Sequence, residues 1–207
     1  KEEKNRRFEL WRKSLLDHEI AQRFVELEIR PLFLVLDTNC YIDYLRNIKM
    51  LIDHKKFIVV VPLIVVNELE NLSKTYQLKD DVDIHARAKE ALKFLEDKFE
   101  KSDQYVRAIT SRGTFMETIA YRAEALNWSE GETNDDVILN CCQHLCKDKP
   151  CDFMPREKDK PMTLHRDVVL LTGDRNLRLK ALSRHIPVKP LKKFMEWADI
   201  KRRSTKK

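Results

Sequence analysis

Glycine is scarce in this chain. Only three of its 207 residues are glycine, Gly113, Gly131 and Gly173, and they are far apart in the sequence. Loops that cradle phosphate through a glycine-rich turn need several glycines at fixed spacing, as in G-x-G-x-x-G and G-x-x-x-x-G-K. The sequence therefore argues against a Rossmann dinucleotide site and against a Walker-type ATPase.

Long apolar runs are also missing. The two longest, residues 31–36 and 57–66, are far shorter than the roughly 20 residues of a membrane-spanning helix. The first residues, KEEKNRR, lack the order of a secretory signal. Five cysteines, an odd number without framework spacing, fit a reducing compartment better than a disulfide scaffold. We therefore expect a soluble protein of the cytoplasm, with the nucleus as a second compartment.

The charge balance is positive, with a formal net charge of +6. A basic protein raises the local concentration of a polyanion and releases its counterions on binding. Part of the excess lies in the tail KRRSTKK, residues 201–207, and charged tails are commonly solvated. The charge favours a nucleic acid partner but does not identify one.

Three apolar runs have the pattern of buried strands: LFLVLDTN, FIVVVPLIVVNELE and DVVLLTGD. Such continuous runs are typical of parallel strands covered on both faces. Residues 186–188 are a short fourth candidate. Helical spacing lies between the strands, at residues 41–52, 65–72, 84–99 and, after the N-cap Asn134, 135–147. This alternation predicts an α/β protein with three αβα layers around a central, mostly parallel sheet.

Domain boundaries follow from the same patterns. We expect an N-terminal helical extension over residues 1–30, one domain over 31–200 and a basic tail over 201–207. Residues 105–124 fit either a hairpin around a central Arg-Gly pair or a turn between helices. The polar residues 147–167 predict a long surface loop.

Acidic residues follow the predicted strands. Asp37 comes directly after LFLVL, Asp174 follows VVLLTG, and Glu68 lies about one turn beyond the second run. Asp135 stands in the first turn of a predicted helix, where the helix dipole favours a negative charge. Because the carboxyl ends of parallel strands share one edge of a sheet, we expect these four side chains to converge there.

Four carboxylates in a small volume repel one another. A hard divalent cation, Mg²⁺ or Mn²⁺, would compensate the charge, because both prefer oxygen ligands and can clamp a phosphodiester during in-line attack. Crowding also predicts that replacing Asp37, Asp135 or Asp174 by Asn leaves the metal-free protein at least as stable as before. The alternative is that each acid is an ordinary turn or cap residue.

The motifs DTN, NEL, NDD and TGDRNLR resemble, in this order, the acidic motifs of PIN-domain nucleases. The resemblance covers residues 32–198 and is greatest to PIN domains of nonsense-mediated mRNA decay endonucleases, in the segments VVPLIVVNEL, ITSRG, NDDVIL, CDFMP and VVLLTGDRNLRLKAL. It implies that Asp37, Asp135 and Asp174 are catalytic and metal-binding, with Glu68 as an auxiliary metal-binding acid.

The same resemblance implies a function. It predicts an endoribonuclease that uses Mg²⁺ or Mn²⁺ to cleave single-stranded RNA, with transcripts in nonsense-mediated decay as substrates and other decay factors as partners through regions outside this chain. The family includes a member that keeps the fold without most of the acids, so a catalytically weak RNA- or protein-binding module is the alternative. This sequence retains the acids. Its departures are Cys40, where a glycine is usual, and Gly173.

Residues beside the acids have two open interpretations. Asp136 adjoins Asp135, but neighbouring helical residues point about 100° apart, so only one of the two should face the site. The motif favours Asp135. Thr172, Asn39 and Asn176 either orient waters and carboxylates or are ordinary turn residues.

The segment CCQHLC, residues 141–146, raises the question of a zinc site. Cys142 and Cys146 are one helical turn apart, but His144 points off their face, and a closed site needs four ligands. Free cysteines are among the most buried residue types, so core positions are the favoured interpretation. Cys151 has no partner at motif spacing.

Two further alternatives concern phosphate chemistry. Asp37 could accept a phosphoryl group, as in haloacid-dehalogenase-like phosphatases, but Asn39 stands where those enzymes generally have a second acid. Basic residues near the predicted edge are candidates to contact RNA phosphates or are solvated surface charges. They are Lys74, Arg112, Arg175 and Arg178.

Overall fold

The computed structural model describes residues 10–13, 25–74, 82–119, 133–147 and 162–200. The strands in these ranges are β1 (Val25–Leu36), β2 (Ile58–Pro62), β3 (Val106–Ile109), β4 (Phe115–Met116), β5 (Met162–Leu171) and β6 (Val188–Lys189). They form one sheet in the order β4-β3-β2-β1-β5-β6. All neighbouring strands run parallel except β3 and β4, which pair antiparallel.

Helices cover both faces of this sheet. They are α1 (Thr38–Asp53), α2 (Leu63–Lys74), α3 (Val82–Glu100), α4 (Asn134–Cys146), α5 (Arg175–Ser183) and α6 (Leu191–Trp197). Helix α1 contacts α3 and α6, while α4 contacts β1, β5 and α5. Helix α2 touches both α3 and α4. The prediction of a three-layer αβα protein with a mostly parallel sheet is confirmed.

Consecutive strand residues are buried, which explains the continuous apolar runs. Leu34, Val35 and Leu36 of β1 have no exposed surface, and the same holds for residues 59–61 of β2. Each such side chain stabilises the fold by about 1.5–3 kcal/mol relative to an exposed position. Since these strands are parallel, their carboxyl ends meet at one edge, and the residues that follow them become neighbours.

Pairing between β1 and β5 begins earlier than the sequence pattern indicated. Val25 pairs with Met162, and Ile29 pairs with Arg166. The helical prediction for residues 25–29 and the loop prediction for residues 162–167 were therefore wrong. A neighbouring strand supplies backbone hydrogen-bond partners here, and no local spacing reveals such a partner.

Three local features were decided by the structure. The segment after β3 is a hairpin, in which Gly113 has a φ of 81° and its backbone N–H donates to the Thr110 carbonyl at 3.0 Å. The apolar run after residue 57 is divided, because the strand ends at Pro62 and a helix starts at Leu63. The N-cap of α4 is Thr133, one residue before the predicted position.

Some predictions fall outside the described residues. Residues 10–13 are helical, but the rest of 1–24, the loop residues 148–161 and the tail 201–207 are not described, so their assignments stay predictions. Among the described residues, no helix is long and apolar enough to cross a bilayer.

Candidate metal centre

An open cleft of about 320 Å³ lies at the carboxyl edge of the sheet. The structure brings all four predicted acids to it: Asp37 follows β1, Glu68 is on α2, Asp135 lies in the first turn of α4, and Asp174 precedes α5. The remaining lining residues are polar and apolar side chains of the helices α1, α2, α4 and α5. They are Thr38, Asn39, Asn71, Leu72, Ile138 and Leu177.

Asp37 is the most enclosed of the four acids, with 4% of its surface exposed. It is the N-cap of α1, and its Oδ1 accepts a hydrogen bond from the Cys40 N–H at 2.8 Å. Its Oδ2 accepts a hydrogen bond from the hydroxyl of Thr172, which is fully buried. Both oxygens are therefore held by the protein. The cap alone is a common structural role for aspartate.

Asp174 is the N-cap of α5. Its Oδ1 accepts hydrogen bonds from the N–H groups of Asn176 at 2.6 Å and Leu177 at 3.0 Å. Its own N–H donates to Thr172 Oγ1 at 2.9 Å. Thr172 thus connects Asp37 and Asp174, because its hydroxyl donates to one residue and accepts from the other. Of the two interpretations of Thr172, the geometry favours orientation of the acids.

Glu68 joins two other parts of the cleft. One carboxylate oxygen accepts a hydrogen bond from the Thr38 hydroxyl, and the other accepts from the Asn134 side-chain amide. The starts of α1 and α4 are therefore tied to the second turn of α2. Sequence reasoning missed Thr38 and took Asn134 for a cap, although both stand within the motifs that carry the acids.

Asp135 faces the cleft and has a raised pKa. Burial is the largest cause, and the negative charges of Asp174, Asp136 and Asp37 act in the same direction. Lys180 opposes them, with its Nζ 3.8 Å from Asp135 Oδ2. The carboxylates therefore interact electrostatically across the cleft, as like charges do when they are brought together.

Asp136 points away from the cleft, towards α5. It forms a reciprocal capping box with Thr133, and its pKa is lowered, first by the Thr133 hydrogen bond. Arg184 contacts its Oδ1 at 3.0 Å, and Lys180 contacts its Oδ2 at 3.3 Å. Asp136 thus fixes the start of α4 against α5, and Asp135 is the member of the pair that lines the cleft.

The donor atoms of the cleft suit a hard cation. Its polar side chains are Asp, Glu, Asn and Thr, with no His or Cys. Oxygen ligands of this kind are the ones that Mg²⁺ and Mn²⁺ prefer. Within the ranges that the structure describes, however, no group of three or more His, Cys, Asp and Glu side chains is close enough to hold a metal ion. The cleft therefore matches the cation in charge and donor type but is not a closed cage. Mg²⁺ commonly binds through one or two carboxylates and keeps several waters.

The cysteine cluster does not form a metal site in the described residues. Cys141 and Cys142 are buried in the core, and burial raises the pKa of the Cys142 thiol. Cys40 is also buried, and its thiol donates to the Leu171 carbonyl at 3.3 Å. Cys151 lies outside the described residues. A Cβ at Gly173 would meet no atom within 4 Å, so packing does not require glycine there.

The predicted basic residues are not all in one place. Arg175 is exposed directly after Asp174, and Arg178 is half-buried one turn further along α5. Lys74 forms an ion pair with Glu70 at 2.6 Å. Arg112 is exposed in the β3–β4 hairpin and does not line the cleft. Asn39 does line it, whereas Asn176 contributes a backbone N–H to the Asp174 cap.

Two known proteins are similar to this chain in sequence. Zebrafish (Danio rerio) "Telomerase-binding protein EST1A" is 46% identical over 183 residues, which are 85% of this chain and 12% of that protein. Human "Transcriptional protein SWT1" is 27% identical over 158 residues, which are 74% of this chain and 15% of that protein. The chain therefore spans only 12% and 15% of these two relatives.

Two solved structures are similar at low sequence identity. The PIN domain of human SMG5 has a TM-score of 0.44 and 18% identity, covering 80% of this chain and 98% of that one. A domain of a functionally unknown protein from Methanocaldococcus jannaschii has a TM-score of 0.45 and 19% identity, covering 77% and 90%. A family model described as the PIN domain matches residues 34–192, which include Asp37, Glu68, Asp135 and Asp174. The chain belongs to the PIN-domain family.

Proposed function

We propose that this chain is an endoribonuclease that cleaves single-stranded RNA with the help of Mg²⁺ or Mn²⁺. The observation that supports this most is the convergence of Asp37, Glu68, Asp135 and Asp174 on one open cleft whose polar side chains all offer oxygen. Such a cluster holds negative charge that a divalent cation would neutralise. The raised pKa of Asp135 supports the same view.

In this proposal Asp37, Asp135 and Asp174 hold the metal, with Glu68 as an auxiliary ligand. When bound, the metal lowers the pKa of a water and neutralises charge that develops on the phosphate. Other residues of the chain hold these carboxylates in position. Thr172 fixes Asp37 relative to Asp174, and Glu68 is fixed by its hydrogen bonds to Thr38 and Asn134.

The substrate class follows from shape and charge. The cleft is open and lies at the surface, so an unpaired backbone can reach it more closely than a paired stem can. Arg175 stands exposed beside Asp174, and the chain as a whole is basic, both of which favour a phosphate backbone. The similarity to mRNA decay endonucleases noted from the sequence makes transcripts in nonsense-mediated decay the proposed substrates. Decay factors that contact regions outside this chain would deliver them, in the cytoplasm or the nucleus.

Cleavage of a labelled single-stranded RNA tests this function. The protein is incubated with an internally labelled oligouridine in Mn²⁺, in Mg²⁺ and in EDTA, beside Asp37→Asn as the matched inactive variant. We expect internal fragments with either metal, none in EDTA and none with the variant. Intact RNA with both metals, from protein that circular dichroism finds folded, would contradict the proposal. Equal fragments from parent and variant would indicate a contaminating nuclease.

A PIN-fold binding module is the second candidate. Two observations favour this candidate. Among the described residues, no three His, Cys, Asp or Glu side chains are close enough to hold a metal ion, and hydrogen bonds already occupy several carboxylate oxygens in the cleft. Fluorescence polarisation with the same RNA separates the two functions. Binding that persists in EDTA without cleavage in any metal would support the module.

A further inference from the structure

Lys180 places a positive charge at the edge of the acidic cleft. Its Nζ lies 3.2 Å from Thr133 Oγ1, 3.3 Å from Asp136 Oδ2 and 3.8 Å from Asp135 Oδ2. The first two distances are hydrogen bonds, while the third is an ion-pair distance too long for one. Because an ammonium group has three N–H donors, Lys180 has donor capacity left on the side of Asp135. Lys180 does not itself line the cleft, but its side chain is 39% exposed and lies beside Asp135, which does, so a ligand bound at Asp135 can reach it.

Asp136 does not require Lys180 for charge balance. Arg184 already pairs with Asp136 Oδ1 at 3.0 Å and also donates to the Asn140 side-chain oxygen at 3.2 Å. Thr133 completes the capping box on the other oxygen. The hydrogen bonds from Lys180 to Asp136 and Thr133 therefore hold its ammonium group beside Asp135. A lysine at the surface would otherwise sample many rotamers and lose side-chain entropy on meeting a ligand.

We propose that Lys180 is a catalytic residue, which contacts a non-bridging oxygen of the RNA phosphate bound beside Asp135. This inference rests on the proposed nuclease function. The role is electrostatic: the ammonium group donates a hydrogen bond to the oxygen on which negative charge grows. A fixed positive donor aimed at developing charge lowers the barrier, because its orientation costs nothing at the moment of reaction. Asp136 and Arg184 are positioning residues in this scheme.

A charge so close to Asp135 has a second, opposite effect. A positive group repels a divalent cation that binds at the same carboxylate, so Lys180 should weaken metal binding slightly. Loss of Lys180 should therefore slow cleavage and strengthen metal binding at the same time. A purely structural role predicts the reverse for the metal, because a displaced Asp135 would be a poorer ligand. The two measurements together separate catalysis from support of the fold.

The test uses four variants of the full chain. Lys180→Met removes the charge but keeps the stem, and Lys180→Arg keeps the charge. Lys193→Met, at an exposed position on α6, matches the loss of net charge away from the cleft. Arg184→Met removes the shorter ion pair to Asp136 without touching Asp135. For each protein we would measure kcat and KM on a labelled oligouridine in Mn²⁺, the Kd for Mn²⁺ by calorimetry without RNA, and the Tm in EDTA.

For Lys180→Met we expect kcat to fall by about 10- to 100-fold, somewhat less than the loss of a buried oxyanion donor, with KM changing little. Its Kd for Mn²⁺ should fall, whereas a rise would mean that Lys180 acts only by supporting Asp135. Lys180→Arg should recover most of the rate, Lys193→Met should match the parent, and Arg184→Met should lose less rate than Lys180→Met.

Several results would overturn the inference. One is cleavage by Lys180→Met within about twofold of the parent, which is below what removal of a useful charge should cause. Another is a rate loss that excess Mn²⁺ restores, or an equal loss in Arg184→Met, since both would mean that Lys180 acts through the fold. If the parent itself does not cleave, the proposed function fails first and this inference fails with it.

Discussion

Replacing Asp37 or Asp135 by asparagine should change the stability of the metal-free protein in opposite directions. From the sequence alone, the crowding of carboxylates predicted that Asn at position 37, 135 or 174 would leave the metal-free protein as stable as the parent or more stable. The structure changes this expectation for Asp37, whose carboxylate accepts hydrogen bonds from the Cys40 N–H and from the buried Thr172 hydroxyl. Asp135, by contrast, caps no helix and has a raised pKa. We therefore expect Asp37→Asn to destabilise the protein and Asp135→Asn to stabilise it.

The cost at position 37 can be worked from these contacts. Asn keeps an oxygen for the Cys40 N–H, and asparagine is as good an N-cap as aspartate. Its amide nitrogen then faces Thr172 Oγ1, so the Thr172 hydroxyl loses its acceptor, and a charge-assisted hydrogen bond becomes a neutral one. That exchange costs about 0.5–2 kcal/mol, because hydrogen bonds to charged groups contribute roughly 1.5–3 kcal/mol and neutral ones about 1 kcal/mol. In a chain of this size it lowers the Tm by about 1–8 °C, at roughly 2–4 °C per kcal/mol.

The assay is thermal unfolding of the parent, Asp37→Asn and Asp135→Asn in EDTA at neutral pH, followed by circular dichroism. Asp43→Asn is a suitable control, since this exposed acid lies on α1 away from the cleft, and its ion pair with Arg87 is at the surface, where such pairs contribute little. The reasoning is refuted if Asp37→Asn melts at or above the parent. It is also refuted if Asp135→Asn melts clearly lower, because the charge on Asp135 would then be stabilising.

Further predictions concern pH, Thr172 and RNA structure. Because the pKa of Asp135 is raised, the folded state binds this proton more tightly than the unfolded state, and the contribution of Asp135 to stability falls as pH rises above about 4. The Tm advantage of Asp135→Asn in EDTA should therefore grow between pH 4 and pH 7. A constant difference in Tm would contradict this prediction. Thr172→Val should lower the Tm and slow Mn²⁺-dependent cleavage, whereas Thr172→Ser should keep the Tm and rate of the parent, because only the hydroxyl joins Asp37 to Asp174. Equal Tm values and rates for the two variants would contradict this role of the hydroxyl. An RNA hairpin stem should be cut more slowly than the same sequence unpaired, and equal rates measured on a denaturing gel would count against a preference for single strands.

The fold was largely predictable because its signal is local. Buried parallel strands give continuous apolar runs, and LFLVL, IVVVP and DVVLL lie within β1, β2 and β5. The misassigned parts were those fixed by distant partners. Residues 25–29 have loose helical spacing, but they pair with β5, and only the folded chain brings that strand alongside. Hydrophobic spacing cannot anticipate such pairing, since tertiary context overrides local preference.

The positions of the acids were also predictable, whereas their supports were not. Asp37 and Asp174 follow strand ends, and the shared edge of a parallel sheet brings such residues together. Thr172 links the two through one hydroxyl, yet in the sequence it was only a polar residue near an acid. The orientation of Asp136 depends on Arg184 and Lys180, which belong to a different helical segment. Contacts of this kind follow from the packing of α4 against α5, which spacing along one helix does not reveal.

The site acids divide into two groups once their contacts are known. Asp37 and Asp174 serve as helix caps as well as candidate ligands, so the same carboxylates that would hold a metal also help to start α1 and α5. An N-cap of this kind contributes about 1 kcal/mol to stability. Asp135 has no such second role, since Thr133 and Asp136 cap its helix. A functional acid whose charge is unfavourable in the metal-free fold lowers stability, and its replacement commonly raises it. Position 135 is therefore where the demands of the proposed metal site and of the fold are opposed, while at positions 37 and 174 they coincide.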